Sequence, residues 1–161
     1  MKIAIVSDTH SKHSTVHAAL DEIARRGIAP IVHCGDIADA ETARLFPAHT
    51  HFVFGNCDKY ECAAIERAVA DIGGTLQQPF GHIEVEGTLI GFVHGDDSQL
   101  LRDLERSGAF DFLFYGHTHQ AKEHRTGKTR VINPGALYRA AVKTFAILDV
   151  ATGEVETVVV A

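Results

Sequence analysis

Basic residues are scarce in this chain. Its 161 residues carry 15 Lys and Arg against 21 Asp and Glu, a net charge of −6 with neutral histidines. A protein that grips DNA or RNA needs a basic face for the phosphates. The nearest approach to one, "ARRG" at Ala24–Gly27, reads as the end of a helix. A nucleic-acid polymer is therefore not an expected partner. Cysteine is also sparse. Cys34, Cys57 and Cys62 are an odd set, with no Cys-x-x-Cys spacing, and they point to a reducing cytoplasm rather than a disulfide framework. Long apolar runs are missing as well. None approaches the ~20 residues of a membrane span, and "MKIAIVSDTH" reaches Asp8 too soon to be a signal peptide. There is no linker, repeat or low-complexity segment, so one domain over 1–161 is expected. Hydrophobic content of 45% and charged content of 22% are ordinary for a soluble globular chain.

What is abundant is histidine, with eleven. Imidazole binds metals and carries protons near neutral pH, so the positions of these residues decide their meaning. "KIAIVS" reads as a buried strand ending in Asp8-Thr9-His10. Val16, Ala19, Leu20, Ile23 and Ala24 then recur on one helical face, with Ser14 as the expected N-cap and Gly27 as the stop. "IVHCGD", a short helix near Ala40–Leu45, and "THFVFGN" continue the alternation. Strand, helix, strand, helix, strand is the signature of a mostly parallel sheet. The second half reads differently. Hairpins turn at Glu86-Gly87, Thr126-Gly127 and Thr152-Gly153, and a helix over about Ser98–Arg106 turns Leu100, Leu101 and Leu104 inward before Gly108. The expected fold is α/β, with two packed sheets flanked by helices.

Five apolar strands stop at the same kinds of residue: Asp8-Thr9-His10, Gly35-Asp36, Gly55-Asn56, His94-Gly95 and Gly116-His117-Thr118-His119. In open α/β sheets ligands bind beyond the carboxyl ends of strands, so these loops should converge. Each motif alone reads as an ordinary turn; Gly-His-x-His is the strongest, since residues two apart on a strand end face one side. Together they offer two Asp, one Asn and four His. That set suits Zn, Fe, Ni or Mn rather than Ca or Mg, and it is too large for one tetrahedral ion. Glycine beside three of the positions lets the backbone bend and leaves room.

"DTH", "GD", "GN", "HG" and "GHTH" in this order resemble the motifs of the calcineurin-like metallophosphoesterases, and most of all the small bacterial and archaeal phosphodiesterase branch of the YfcE/MJ0936 type. The resemblance runs from Met1 to "INPGA" at Ile132–Ala136. It implies a four-layer α/β/β/α sandwich with two divalent ions. Asp8, His10 and His119 would hold the first ion and Asn56, His94 and His117 the second, with Asp36 between them. It further implies hydrolysis of small phosphate esters by a hydroxide shared between the ions, with Asp36, Asn56 and His117 acting through it, and it allows homo-oligomers. Asn133-Pro134-Gly135 would form a rigid type II turn beside the site.

The stretch "GNCD" departs from the wider superfamily, where Gly-Asn is often followed by a His that serves as general acid. Cys57 fills that slot here, as it often does in the small phosphodiesterase branch, and a thiol donates hydrogen bonds weakly. Asp58 is either a group that orients a ligating His or an exposed turn residue. Asp96, Ala121 and Ala136 also differ from common family residues without removing a ligand. His13 is a candidate for the site mouth. His33 reads as a packing or supporting residue, Cys34 as a small buried hydrophobe, and His17, His49, His51, His82 and His124 as surface or edge positions. Two functions compete: a metal-dependent phosphodiesterase or phosphomonoesterase, and a non-catalytic scaffold like the retromer subunit that shares this fold. Seven ligand-competent positions favour the enzyme.

Overall fold

The computed structural model describes residues 1–161. The apolar runs of the first half form β1 (Lys2–Val6), β2 (Ile31–His33), β3 (His51–Phe52) and β4 (Thr75–Leu76), all parallel. The closing hairpin, β10 (Thr144–Asp149) and β11 (Glu154–Val159), joins β1 antiparallel, giving the order β11-β10-β1-β2-β3-β4. A second sheet holds β5 (Gly81–Val85), β6 (Thr88–Val93), β7 (Phe112–Tyr115), β8 (Lys122–Thr126) and β9 (Thr129–Asn133), in the order β5-β6-β7-β9-β8. Both sheets are mixed.

The two-residue period of a strand explains the layering. Along β1, Ile3 and Ile5 face the second sheet, where they meet Ile90 and Phe92 of β6 and Phe112 and Phe114 of β7. Ala4 and Val6 face the other way, against Val16, Ala19 and Ile23 of α1 (His13–Arg25), Ala43 of α2 (Ala40–Arg44) and Ile65, Ala68 and Val69 of α3 (Cys62–Asp71). On the outer face of the second sheet, Leu113 and Tyr115 pack with Leu104 of α4 (Ser98–Arg106), and Leu100 and Leu101 flank them. Strands covered on both faces read as continuous apolar runs, which is why they were visible in the sequence. The four expected layers are present. Burial of Phe92 and Phe114 is complete, and truncating either to Ala would cost ~3–5 kcal/mol.

Local details correct several expectations. α1 begins at His13, and no side chain caps it. The Lys12 carbonyl accepts from Thr15 and Val16, so Ser14 lies inside the helix. Gly27 does end α1, at φ +65°, with its amide bonded to Ala24. The second hairpin turns at Gly127-Lys128, one residue later than expected, because Thr126 pairs with Thr129. The turn at Glu86-Gly87 is as expected: both residues have positive φ, the geometry of a tight two-residue hairpin loop. α3 and β4 were not anticipated, although Ile65, Ala68, Val69 and Ile72 have helical spacing.

Candidate metal centre

All five motifs meet at one end of the two sheets, in the loops after β1, β2, β3, β6 and β7. The loops are tightly wound. Asp8, His10, Asp36, His117 and His119 all have positive φ, between 42° and 67°. Left-handed backbone is uncommon outside glycine, though Asp and His tolerate it best, and strained residues of this kind gather at functional sites. His117 and His119 therefore do not lie on a strand end facing one side, as the spacing suggested. β7 stops at Tyr115, and the two rings reach different neighbours from the loop.

One half of the site is compact. Single ligand atoms of Asp8, His10, Asp36 and His119 all lie within 4.8 Å of one another. The His119 Nε2 is 3.1 Å from Asp8 Oδ1, and His10 Nε2 is 3.2 Å from Asp36 Oδ2 and 3.7 Å from Asp8 Oδ1. Yet His10 Nε2 is buried and has no hydrogen-bond partner of acceptable geometry. A nitrogen aimed between two carboxylates without bonding either is placed as a metal ligand would be. The carboxyl of Asp8 is set from behind by the Ser7 hydroxyl (2.6 Å) and the His117 amide (3.1 Å).

The other half is more open. His94 is buried, 1% exposed; its Nε2 is 3.0 Å from the side-chain oxygen of Asn56 and 3.3 Å from Asp36 Oδ2. Its Nδ1 faces the Cys34 carbonyl at 2.8 Å, which fixes Nε2 as the nitrogen presented to the site. The His117 ring lies 5.2 Å from the His94 ring, edge to face. Asn56 and His117 are exposed. Asp36 thus stands between both halves, its second oxygen accepting the Cys57 amide at 2.9 Å.

The motif glycines explain the closeness. A Cβ on Gly35 would come within 2.7 Å of His94 Nδ1, one on Gly55 would strike the Asp36 carboxylate, and one on Gly116 would strike Ser7 and Asp8. Only Gly35 of these three also needs positive φ, at +96°. For Gly55 and Gly116 the requirement is proximity, not bending.

Charge follows geometry. Burial pushes the Asp36 carboxyl up, but the adjacent His10 and His94 imidazoles outweigh it and hold the pKa low. Asp8 is lowered against its burial by His10, His94, Ser7 and His119. Asp36, then Asp8, raise His10 to about 9. Burial depresses His94, but Asp36 and Asp8 overcome it and leave it raised. Two anionic carboxylates among four imidazoles form a donor set suited to a metal cation, which would displace the imidazole protons.

Supporting residues surround this donor set. Asp58 matches neither of its expected roles: it is 0% exposed and hydrogen-bonds no histidine. Its carboxylate instead accepts from the amides of Asp36 (3.0 Å), Ala38 (2.7 Å) and Gly55 (2.8 Å), lacing the Asp36 loop to the Asn56 turn. His33 is a supporting residue as expected. Complete burial lowers it to about 3, so the ring is neutral; its Nδ1 accepts from the Gly35 amide and its Nε2 meets Thr9 Oγ1 at 3.1 Å. Asn133 donates to the Gly116 carbonyl and to Thr118, tying the Asn-Pro-Gly turn, with Gly135 at φ +83°, to the His117 loop. Cys34 is buried in the core. Cys57 is exposed, and partial desolvation of its sulfur together with Asp36 raises the thiol to about 11.

Other positions lie elsewhere. His13 turns to Thr42 at 3.2 Å rather than to the site mouth. His51 is not an edge residue: β3 lies between β2 and β4, and its buried Nδ1 has no partner. Sequence reasoning missed Ser7, Tyr138 and Arg139. The Tyr138 ring is 5.5 Å from that of His10, and the Arg139 carbonyl faces His119 Nδ1 at 3.3 Å. For Tyr138 and Arg139, their place three and four residues after the Asn-Pro-Gly turn was the available signal.

Known proteins resemble this chain in sequence and fold. The sequence profile of the calcineurin-like phosphoesterase superfamily domain matches residues 1–153. Phosphodiesterase MJ0936 of Methanocaldococcus jannaschii is 28% identical over 165 residues, covering 99% of each chain. A solved archaeal phosphodiesterase superposes with a TM-score of 0.90 at 27% identity, covering 99% of both chains. The phosphoesterase Yfce from E. coli superposes at 0.72 and 20% identity over 100% of both, a likeness of fold.

Proposed function

The chain belongs to the calcineurin-like phosphoesterase superfamily, and from that premise we propose that residues 1–161 are one domain that hydrolyses small phosphodiesters in a metal-dependent reaction. The observation that carries this is the compact set of Asp8, His10, Asp36 and His119, with its unpartnered imidazole nitrogen. The donor set fits a divalent ion on this chain's own chemistry, mixing carboxylate and imidazole as Mn, Ni, Zn or Fe prefer. Asp8, His10 and His119 would hold one ion. Asn56, His94 and His117 would hold a second, and Asp36, within reach of both His10 and His94, would be shared. Ions held there would acidify water near neutral pH and offset the charge that builds on a phosphoryl group.

The chain's own groups supply position. Asp58 fixes the backbone that carries Asp36, and the Cys34 carbonyl and Arg139 carbonyl orient His94 and His119. No imidazole follows Asn56 to protonate the departing oxygen, and a thiol raised to about 11 is a poor acid for that step. Release of the alcohol then relies on water or on a leaving group that needs no proton. A net charge of −6 supports a small ester rather than a polymer, three free cysteines support a cytoplasmic setting, and self-association is an open arrangement for a domain of this size. The scaffold reading draws on the fold shared with the retromer subunit and on the missing imidazole at position 57; a full set of ligand-competent residues is more than a scaffold needs.

The test is turnover by metal-stripped protein of bis(p-nitrophenyl) phosphate and p-nitrophenyl phosphate, with Mn, Ni, Zn or Mg restored one at a time. Metal-dependent cleavage, faster for the diester, is expected. No cleavage with any ion would leave the scaffold reading standing.

A further inference from the structure

The loop from Asn133 back to β10 carries two side chains that the metal chemistry does not use. Leu137 anchors it: its side chain is fully buried and its amide donates to the Ser7 carbonyl, so the next residues lie beside the end of β1. Tyr138 is half-buried, with its ring 5.5 Å from that of His10 and tilted by 44°. The Arg139 guanidinium lies 5.3 Å from the Tyr138 ring and has no carboxylate partner. Arg139 also has φ +50°, an outlier for a long side chain, while its carbonyl faces His119. The same strained residue therefore pins a site histidine through its backbone and presents its cation beside the site.

His10, Tyr138 and Arg139 form a row of three planar groups leading outward from the compact half of the site. These groups offer polarisable planar faces with one fixed positive charge, in a chain that is otherwise acidic. We infer that Tyr138 and Arg139 are specificity-determining residues, forming a subsite for a planar aromatic group on the phosphodiester. The ring packs along Tyr138 and the guanidinium plane, and the guanidinium charge faces the anionic phosphate oxygen. This subsite rests on the phosphodiesterase reading above and adds to it the class of substituent preferred. Two other cation–aromatic pairs exist, Arg130 over Phe112 and Lys59 over Tyr60 at 4.9 Å; Tyr60 pairs with no histidine ring, is 85% exposed and serves as the comparison.

Two substrates with one leaving group isolate the effect. Bis(p-nitrophenyl) phosphate and methyl p-nitrophenyl phosphate both release p-nitrophenolate, but they differ in the group retained. With Mn-loaded protein, the ratio of their kcat/KM values should fall about fivefold or more in Arg139→Ala and in Tyr138→Leu, chiefly through KM of the aryl ester. Tyr138→Phe should keep the ratio within about twofold, Arg139→Lys should recover part of it, and Tyr60→Leu should leave it unchanged. A metal defect caused through His10 or His119 would lower both esters in proportion and leave the ratio intact. An unchanged ratio in Arg139→Ala and Tyr138→Leu with turnover preserved, or an equal fall in Tyr60→Leu, would overturn the subsite alone. Absence of turnover in the unmodified protein would overturn the phosphodiesterase reading and the subsite with it.

Discussion

The two halves of the site are built from different materials. Asp8, His10, Asp36 and His119 are buried or nearly so, lie within 4.8 Å of one another, and combine two carboxylates with two imidazoles. Asn56, His94 and His117 combine one amide with two imidazoles, and only His94 is buried. The first half brings its own negative charge and holds its geometry through Ser7, the His117 amide and the Arg139 carbonyl. The second half brings no charge except through Asp36. A cation should therefore bind the first half more tightly, and the second should be the half that exchanges readily and admits substrate.

The largest expected effect comes from the residue common to both halves. Asp36→Ala removes the carboxylate that faces His10 and His94, and turnover of bis(p-nitrophenyl) phosphate should fall by about a thousandfold or more. A loss under tenfold would mean that the halves do not share a group. Next comes a stability effect. Asp58→Ala strips the amides of Asp36, Ala38 and Gly55 of their buried acceptor, which should cost about 2–4 kcal/mol in urea unfolding. An unaltered midpoint would mean that water replaces the carboxylate.

Within the "GNCD" turn, Asn56→Ala should lower kcat/KM at least about tenfold, whereas Cys57→Ala should change it less than about threefold. The reverse order would make the thiol the functional group. The smallest effect is a pH dependence of the metal-free protein. His10 is raised from 6.5 to about 9 by Asp36 and Asp8, so its protonated form stabilises the fold. That contribution is complete below pH 6.5 and disappears as pH rises through 9, an effect of order 1 kcal/mol after screening. Thermal melts of the stripped protein at pH 6 and pH 9.5 should show the loss in the native sequence and a smaller one in His10→Ala, where His94, also raised, still contributes.

The two halves were also unequally legible. The ends of β1 and β7 could be read because continuous apolar runs stop abruptly at Asp8 and at Gly116, and such runs are how doubly covered strands appear in sequence. Which ligands would pair could not be read from spacing alone, since His117 and His119 diverge in left-handed backbone that no periodicity predicts. Asp58 was misread for a related reason. A carboxylate in a turn is normally solvated, and only the fold brings three unpaired amides to it. α3 escaped notice because Cys62-Ala63-Ala64 gives a weak start without a capping side chain. Tyr138 and Arg139 acquire meaning only when the Leu137 anchor places them beside β1.

The most direct test of this comparison is the number of ions held by each chain. Equilibrium dialysis of the stripped protein against Mn²⁺ should give two bound ions in two classes of affinity. His117→Ala should remove the weaker class and keep the tighter one, and Asp8→Asn should weaken the tighter one. A single ion in the unmodified protein, or loss of the tighter ion in His117→Ala, would contradict the division of the site into a compact half and an open half.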